Sequence, residues 1–352
     1  MKNIMIAMSG GVDSAVTAMI LKENARIAGV TMRLLFPGRP DPSGSERDCT
    51  DAAAACRAMG IPHYIADLGD EFFSCVVKPF IESYQNGQTP NPCVLCNEKI
   101  KFGALLRFAR EKGFDTLATG HYARVEKDAN GRFLLRRSKD LTKDQTYVLY
   151  TLSQQVLSSV CFPLGELSKK EVRERAALAG LKAAERVDSQ DICFLPDGDY
   201  AGFIEKELGK PQPPGNFLSP DGRVLGKHKG LIHYTIGQRK GLGIAAAAPL
   251  YVLRKSKEDN TVTLGDNAAL FTRRVKATDI HFIPFDKLQS PLRVMAKVRY
   301  RQTAARATVE QTGTNELILR FDEPQRAVSP GQSLVLYDEH DDYVIGGGKI
   351  IE

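Results

Sequence analysis

Three stretches of this chain hold residues whose types and spacing could do chemistry. Residues 7–14 read Ala7-Met8-Ser9-Gly10-Gly11-Val12-Asp13-Ser14. No large side chain stands between Ser9 and Gly11, so the backbone N–H groups there can close on an anion. A helix starting just after adds the positive end of its dipole. The Gly-Lys-Ser/Thr ending of a Walker loop is missing, which excludes that type of phosphate site. The second stretch is Gln88-Thr-Pro-Asn-Pro-Cys93-Val-Leu-Cys96-Asn97. Its two prolines hold the chain extended, and Asn97 is suited to start the next helix. Cys96 would then lie near a helix N-terminus, where the dipole favours thiolate, and Lys99 and Lys101 push the same way. A thiolate attacks sulfur, ligates metal or carries a persulfide. The third stretch is Asp188-Ser-Gln-Asp-Ile-Cys193-Phe194. The polar run before Cys193 fits a loop near a site, whereas Cys193 taken alone, between Ile192 and Phe194, reads as a buried core cysteine.

The elements that must position these residues follow from pattern. Strands are predicted at Lys2–Ala7, Ile27–Leu35, His63–Leu68 and Thr116–Thr119, and helices at Ser14–Glu23, Asp51–Met59, Asp70–Tyr84 and Asn97–Lys112. Such alternation argues for a parallel sheet covered by helices, with ligands beyond the carboxyl ends of the strands. Ser9 and Gly120 fall at such ends, as does Met32 if the second strand ends early. Arg124–Arg136 reads as a hairpin turning at Asp128–Gly131. Asp144–Val160, Ser168–Gly180 and Tyr200–Leu208 read as helices, the second with Ser168 as N-cap, Glu171 as capping-box partner and Gly180 at its end. Pro211-Gln-Pro-Pro-Gly215 breaks the composition sharply, and strands and turns follow it. With 352 residues the chain is expected to form two or three domains.

Composition narrows the class. Hydrophobic residues at 43% and charged residues at 26% fit a soluble globular protein. No apolar run approaches the roughly 20 residues of a membrane helix. The first strand begins at once, which leaves no room for a signal peptide, so a cytoplasmic location is expected. Net charge is +6, and it is concentrated: Gly222–Lys257 carries eight Lys/Arg and no Asp or Glu, and Thr272–Arg301 carries eight more against Asp279 and Asp286. A basic C-terminal half suits a phosphate backbone as well as it suits a solvated surface. Seven cysteines, an odd number, do not form a secreted disulfide framework.

Ser-Gly-Gly-Val-Asp-Ser resembles the pyrophosphate loop of the ATP pyrophosphatases, which adenylate a substrate oxygen and release pyrophosphate. Ser9–Ser14, Thr89–Asn97, Gly120-His121-Tyr122, Lys143-Asp144-Gln145, Ser189–Phe194 and Tyr234–Gly241 together resemble the tRNA-specific 2-thiouridylase family, in the family's order and over most of the chain. The resemblance implies replacement of the 2-oxo group of the wobble uridine by sulfur. It also implies an α/β N-terminal domain with a parallel sheet, a small central domain and an all-β C-terminal barrel. The boundaries expected are 1–138 for the ATP-pyrophosphatase domain, completed by helices in 139–210, then 211–275 for the central domain, taken as mostly helical, and 276–352 for the RNA-contacting barrel.

The resemblance implies roles residue by residue. Ala7, Met8, Ser9, Gly10, Gly11, Val12, Asp13 and Ser14 would hold ATP, with Asp13 on Mg²⁺, and Met32 and Gly120 would contact the adenosine. Cys193 would carry a persulfide, and Cys96, the nucleophile, would activate the base or close a disulfide with Cys193. Asn91, Pro92, His121, Lys143, Asp144, Gln145, Arg299, Tyr300 and Gln332 would touch the anticodon stem-loop of tRNA. A sulfur donor protein, a cysteine desulfurase or relay, would be the other partner. Many family members carry Asp where this chain has Cys93, so the role of that carboxylate is in doubt here. Cys93, Cys96 and Cys193 make three thiols, which could ligate a [4Fe–4S] cluster carrying sulfide, as an alternative to the persulfide route. A zinc site lacks a fourth ligand at suitable spacing. Gln238, Arg239 and Lys240 read either as a loop over the site or as a turn. The rivals are another ATP pyrophosphatase, such as an argininosuccinate, NAD or GMP synthetase, a tRNA thiolase for a different base, and a non-catalytic RNA-binding or redox protein.

Overall fold

Ile4 and Ile6 alternate with Met5 along the first strand, and both sets are buried. That is the signature of a strand covered on both faces. In the computed structural model, which describes residues 2–35, 45–181, 192–195 and 198–352, this strand lies at the centre of a five-stranded parallel sheet. The strands are β1 (Asn3–Ala7), β2 (Arg26–Arg33), β3 (His63–Asp67), β4 (Thr116–Ala118) and, after the hairpin β5 (Ala123–Lys127) and β6 (Phe133–Arg137), β7 (Val160–Cys161). Their order is β3-β2-β1-β4-β7. On one face Ile4 and Ile6 pack with Ala18 and Ala52 of the helices Val12–Lys22 and Ser45–Ala58. On the other, Met5 packs with Phe102, Leu105 and Ala109.

The strand order reverses at β1, which pairs with β2 on one side and β4 on the other. Crevices open at the carboxyl ends of strands at such a point. Ser9 leaves β1 there and Gly120 leaves β4 there, as the sequence pattern requires.

Two segments differ from expectation. The helix expected at Asp144–Val160 is instead a 3₁₀ turn at Thr146–Val148, one α-helical turn at Gln154–Leu157, and the edge strand β7. Tyr147, Leu149 and Leu152 are buried, so tertiary packing overrides the local preference. The helix expected from Asn97 starts at Pro92, with Asn91 as N-cap accepting from the Cys93 N–H at 3.1 Å. It runs through 92–111 with a π-helical centre at Cys96–Ala104. Asn97 instead donates its side-chain amide to the Val148 carbonyl at 3.0 Å. The helix Lys169–Leu178 keeps the expected capping box of Ser168 and Glu171.

Beyond Pro211 the described chain is strands and turns. β8 (Gly215–Leu218), β9 (Val224–His228), β10 (Tyr251–Ser256) and β11 (Thr261–Gly265) form a small sheet in the order β10-β11-β8-β9. It is built over Phe217, Val252, Val262 and Leu264. The central domain is therefore a β-sheet, not mostly helical: its β-branched and aromatic residues alternate at period two. β12 (Phe271–Phe282), β13 (Leu292–Lys297), β14 (Ala305–Gly313), β15 (Glu316–Arg326), β16 (Ser333–Tyr337) and β17 (Val344–Ile350) close into a barrel.

The barrel is stapled to the rest. Arg299 Nη2 donates to the Ile236 carbonyl of the central domain at 3.2 Å, and to Ala327 O and Ser329 Oγ at 2.7 and 2.9 Å. Tyr147 OH donates to the Ser333 carbonyl at 2.7 Å. The Thr89 N–H donates to Pro330 O at 2.9 Å, and Gln332 Nε2 donates to Thr89 O at 2.7 Å. Arg299→Ala removes three hydrogen bonds at a domain junction and is expected to cost about 2–3 kcal/mol. Faster amide hydrogen exchange around 236–238 and 327–331, with the N-terminal sheet unchanged, is the readout.

Candidate active site

The turn after β1 is short, glycine-rich and braced by serines. Gly10 takes φ +69°, a left-handed value that favours glycine. Gly11 is the N-cap of Val12–Lys22 and offers no side chain to the helix's first turn, which leaves N–H groups directed outward. Ser14 Oγ accepts from the Ser9 N–H at 3.3 Å and donates to Gly11 O at 3.0 Å, so the two serines brace the turn. Val12 is buried against Val16, Tyr122 and Leu164 and anchors it.

Asp13 faces outward from that first turn. Lys169 Nζ donates to its two oxygens at 2.8 and 2.9 Å, and Tyr122 OH donates to Oδ1 at 2.9 Å. Lys169 was missed by sequence reasoning. The available signal was a lysine in the first turn of a helix, opposed to the dipole and so in need of a carboxylate. Gly120 approaches this corner so closely that a Cβ there would stand 2.9 Å from Asp13 Cβ and 3.2 Å from the Ser14 nitrogen.

Two cavities adjoin at the sheet's carboxyl edge. One, of about 210 Å³, is lined by Ala7, Met8, Ser9, Asp13, Met32 and Gly120, with Lys101, His121 and Gln145. The other, of about 250 Å³, is lined by Pro92, Cys93, Cys96, Ile192, Cys193 and Asp48. Met8, Ser9, Met32 and Lys101 belong to both. The fold thus brings the two cysteines of one helix and the distant Cys193 to one wall, next to the phosphate-type turn. Phe194, beside Cys193, anchors it by edge-on contacts to Phe72 and Phe80 at ring separations of 5.7 and 5.3 Å. Ser189–Asp191 of the third motif lie outside the described residues.

The thiols are not poised as the sequence pattern suggested. Cys96 stands one turn inside its helix, and burial pushes it up to about 11 although Lys101 opposes the shift. Burial, with Cys96 and Cys93 close by, pushes Cys193 up to about 12, and burial raises Cys93 too. Cys93 and Cys193 reach solvent through the cavity mouth, but the protein packed around each sulfur disfavours its charge. The described cysteines are all free thiols. Native Cys96 is expected to alkylate about a hundredfold more slowly at pH 8 than in the denatured chain. The rate should climb with pH until it levels off near 11, read by mass spectrometry after timed iodoacetamide. Because these native thiols hold protons that the unfolded chain releases near pH 8.5, stability falls as pH rises above that value.

His121 is buried between Phe102 and Phe162. Its Nδ1 lies 2.6 Å from Thr119 Oγ1 and its Nε2 3.4 Å from Lys101 Nζ. Burial and then the Lys101 charge hold it well below the usual histidine range, so it stays neutral. Gln145 accepts the Tyr122 N–H at 2.9 Å. Asp144 is buried, accepting from Ser138 N–H at 3.1 Å, Thr146 Oγ1 at 2.7 Å and Arg137 at 3.3 Å. Its carboxylate faces the interior, as Arg299 does at the domain junction. Lys143 is half-buried, and Tyr300 is exposed with its ring 5.8 Å from Tyr147. Asn91 caps the cysteine helix, Pro92 opens it and Gln332 bonds to Thr89 just before it, while Arg299 belongs to the staple. Gln238 accepts the Thr235 N–H at 3.0 Å and donates to Lys240 O at 3.0 Å, which makes 235–240 a self-bonded turn.

Among the described residues no three His, Cys, Asp or Glu side chains are placed to hold a metal ion. Cys93, Cys96 and Cys193 line one wall of the same cavity.

Comparison with known proteins places the chain in a family. Three family models match in series: a tRNA methyl transferase HUP domain over 2–197, a tRNA methyl transferase PRC-barrel domain over 201–266, and an aminomethyltransferase beta-barrel domain over 272–350. A curated protein of Lachnoclostridium phytofermentans, tRNA-specific 2-thiouridylase MnmA, is 43% identical over 100% of both chains. The chain belongs to the tRNA-specific 2-thiouridylase family. Members named in the same way from Caldicellulosiruptor saccharolyticus and Clostridioides difficile are each 44% identical over 99% of this chain and 98% of their own. The α/β domain, small central domain and closed barrel described above are the fold of this 2-thiouridylase chain. No described helix is long and apolar enough to cross a membrane.

Proposed function

We propose that this chain is an ATP-dependent tRNA-uridine 2-sulfurtransferase acting on the wobble uridine. The observation that carries the reading is the pair of adjoining cavities, one at the glycine turn after β1 and one lined by three thiols. Methyl transfer, suggested by the names of the matching domains, calls for neither. The turn at Ser9–Ser14 holds the triphosphate, and Met32 and Gly120 flank the adenosine. Mg²⁺ bound with ATP would supply charge neutralisation, and Asp13 would hold it only by giving up its contacts to Lys169 and Tyr122.

A uracil carbonyl oxygen is a poor leaving group. Transfer of AMP onto O2, with release of pyrophosphate, makes it a good one. The terminal sulfur of a Cys193 persulfide attacks C2, the C–S bond forms, and AMP leaves with the C–O electron pair. The Cys96 thiolate then attacks the Cys193 sulfur, releasing 2-thiouridine and closing a Cys96–Cys193 disulfide, which an external thiol reduces. A persulfide donor protein reloads Cys193. Asn91, Pro92, His121, Lys143, Gln145, Tyr300 and Gln332 surround the site where the target base and anticodon loop would lie, and the basic barrel faces the phosphates. Asp144 and Arg299 act by shaping that surface.

The test is nucleoside mass spectrometry of tRNA incubated with the protein, ATP, Mg²⁺ and a persulfide donor under argon. Formation of 2-thiouridine is expected from iron-free protein. Pyrophosphate release that is independent of tRNA, with no thiolated nucleoside, would instead point to a small-molecule ATP pyrophosphatase.

A further inference from the structure

The four residues common to both cavities are Met8, Ser9, Met32 and Lys101. Two are apolar and one is neutral, so Lys101 is the charged group of the shared wall. We propose that Lys101 is a catalytic cation serving both half-sites, touching the adenylated carbonyl on one side and the attacking sulfur on the other. The inference rests on the sulfur-transfer reading above.

Three observations place it. First, Lys101 lies in the π-helical segment Cys96–Ala104. Bonding from i to i+5 winds the backbone more loosely than an α-helix and brings residues five apart to one side. Cys96 and Lys101 are five apart, and both line the thiol cavity. Second, Lys101 donates to His121 Nε2, and the buried, neutral ring turns its other nitrogen to Thr119 Oγ1. The ring accepts a hydrogen bond from one ammonium N–H and leaves the others for ligands. Third, the charge of Lys101 favours the thiolate at Cys93, Cys96 and Cys193 alike, against burial that opposes it.

The chemistry needs such a group. The sulfur nucleophile is an anion in a site that disfavours anions. As the C–S bond forms and the C–O bond breaks, that charge passes to the oxygen leaving with AMP. Lys101 faces both positions and neutralises the charge before and after transfer. It exchanges no proton and no electron in the step.

The experiment compares wild type, Lys101→Gln and Lys101→Arg, with folding of each checked by circular dichroism. Iodoacetamide alkylation of Cys96 in the free protein is followed against pH, and thiolation of tRNA is followed in single turnover. Lys101→Gln is expected to raise the Cys96 alkylation midpoint by about one pH unit and to slow thiolation about 100-fold. Lys101→Arg should restore the midpoint and much of the rate. If Lys101→Gln does not fold, Lys101→Met against Lys101→Arg carries the same comparison. A midpoint and a rate within about twofold of wild type in the neutral variant would overturn the proposal, as would Lys101→Arg failing as fully as Lys101→Gln while folded. If wild type forms no 2-thiouridine, the functional reading fails, and the alkylation arm still decides whether Lys101 sets the thiol.

Discussion

Cys193→Ala is expected to abolish 2-thiouridine formation, by at least about a thousandfold, while tRNA affinity stays within about twofold of wild type. The side chain reaches solvent at the cavity mouth and fills no part of the core, so its loss leaves no void to destabilise the fold. Phe194, not Cys193, holds the segment against Phe72 and Phe80. Adenylation should survive, and pyrophosphate release in the presence of tRNA should continue for one turnover. Nucleoside mass spectrometry gives the first quantity, filter binding the second and a pyrophosphate assay the third. Thiolation at the wild-type rate would remove Cys193 from the sulfur path and leave Cys96 or Cys93 as carrier.

Gly120→Ala is expected to act on the other half of the site, through position and not through a lost functional group. The added methyl meets the Asp13 and Ser14 backbone at 3.0 and 3.2 Å, and backbone yields far less readily than a side-chain tip. The anion turn has to move by a few tenths of an ångström, and the Asp13–Lys169–Tyr122 contacts move with it. Misplacement of this kind costs on the order of 100-fold in rate. A lower adenylation rate and a raised KM for ATP, with unchanged alkylation of Cys96, separate this effect from damage to the thiol cavity. An activity within about threefold of wild type would show that the corner is soft.

The parts of the fold set by local pattern were legible in the sequence. The parallel sheet, the glycine turn at its first strand end, the capping box at Ser168 and the C-terminal barrel strands each follow from period, spacing or turn chemistry, whereas the central domain, expected as mostly helical, is a β-sheet. What could not be read depended on contacts far along the chain. Nothing local to Asp144–Val160 says that Tyr147 will be drawn onto Ser333, and its apolar residues fit a helix until that contact is known. Asn97 has the chemistry of a cap, but Asn91 precedes a proline, which starts a helix better. The thiols mislead in the same way: two lysines nearby suggest activation, yet burial, which pairs of sequence neighbours do not reveal, dominates. Lys169 illustrates the limit, since its partner Asp13 lies 156 positions away.

The clasp between Thr89 and the 330–332 segment has a consequence for biogenesis. Thr89 bonds to Pro330 and Gln332, Gly331 bonds to Ile350, and β17 seals the barrel against β12. The glycine turn after β1 is made of residues close in the chain, but the segment leading into Cys93 and Cys96 gains this buttress only when β17 is in place. A chain stopped short of β17 would lack the Gly331–Ile350 bond, and with it a brace on the start of the cysteine helix.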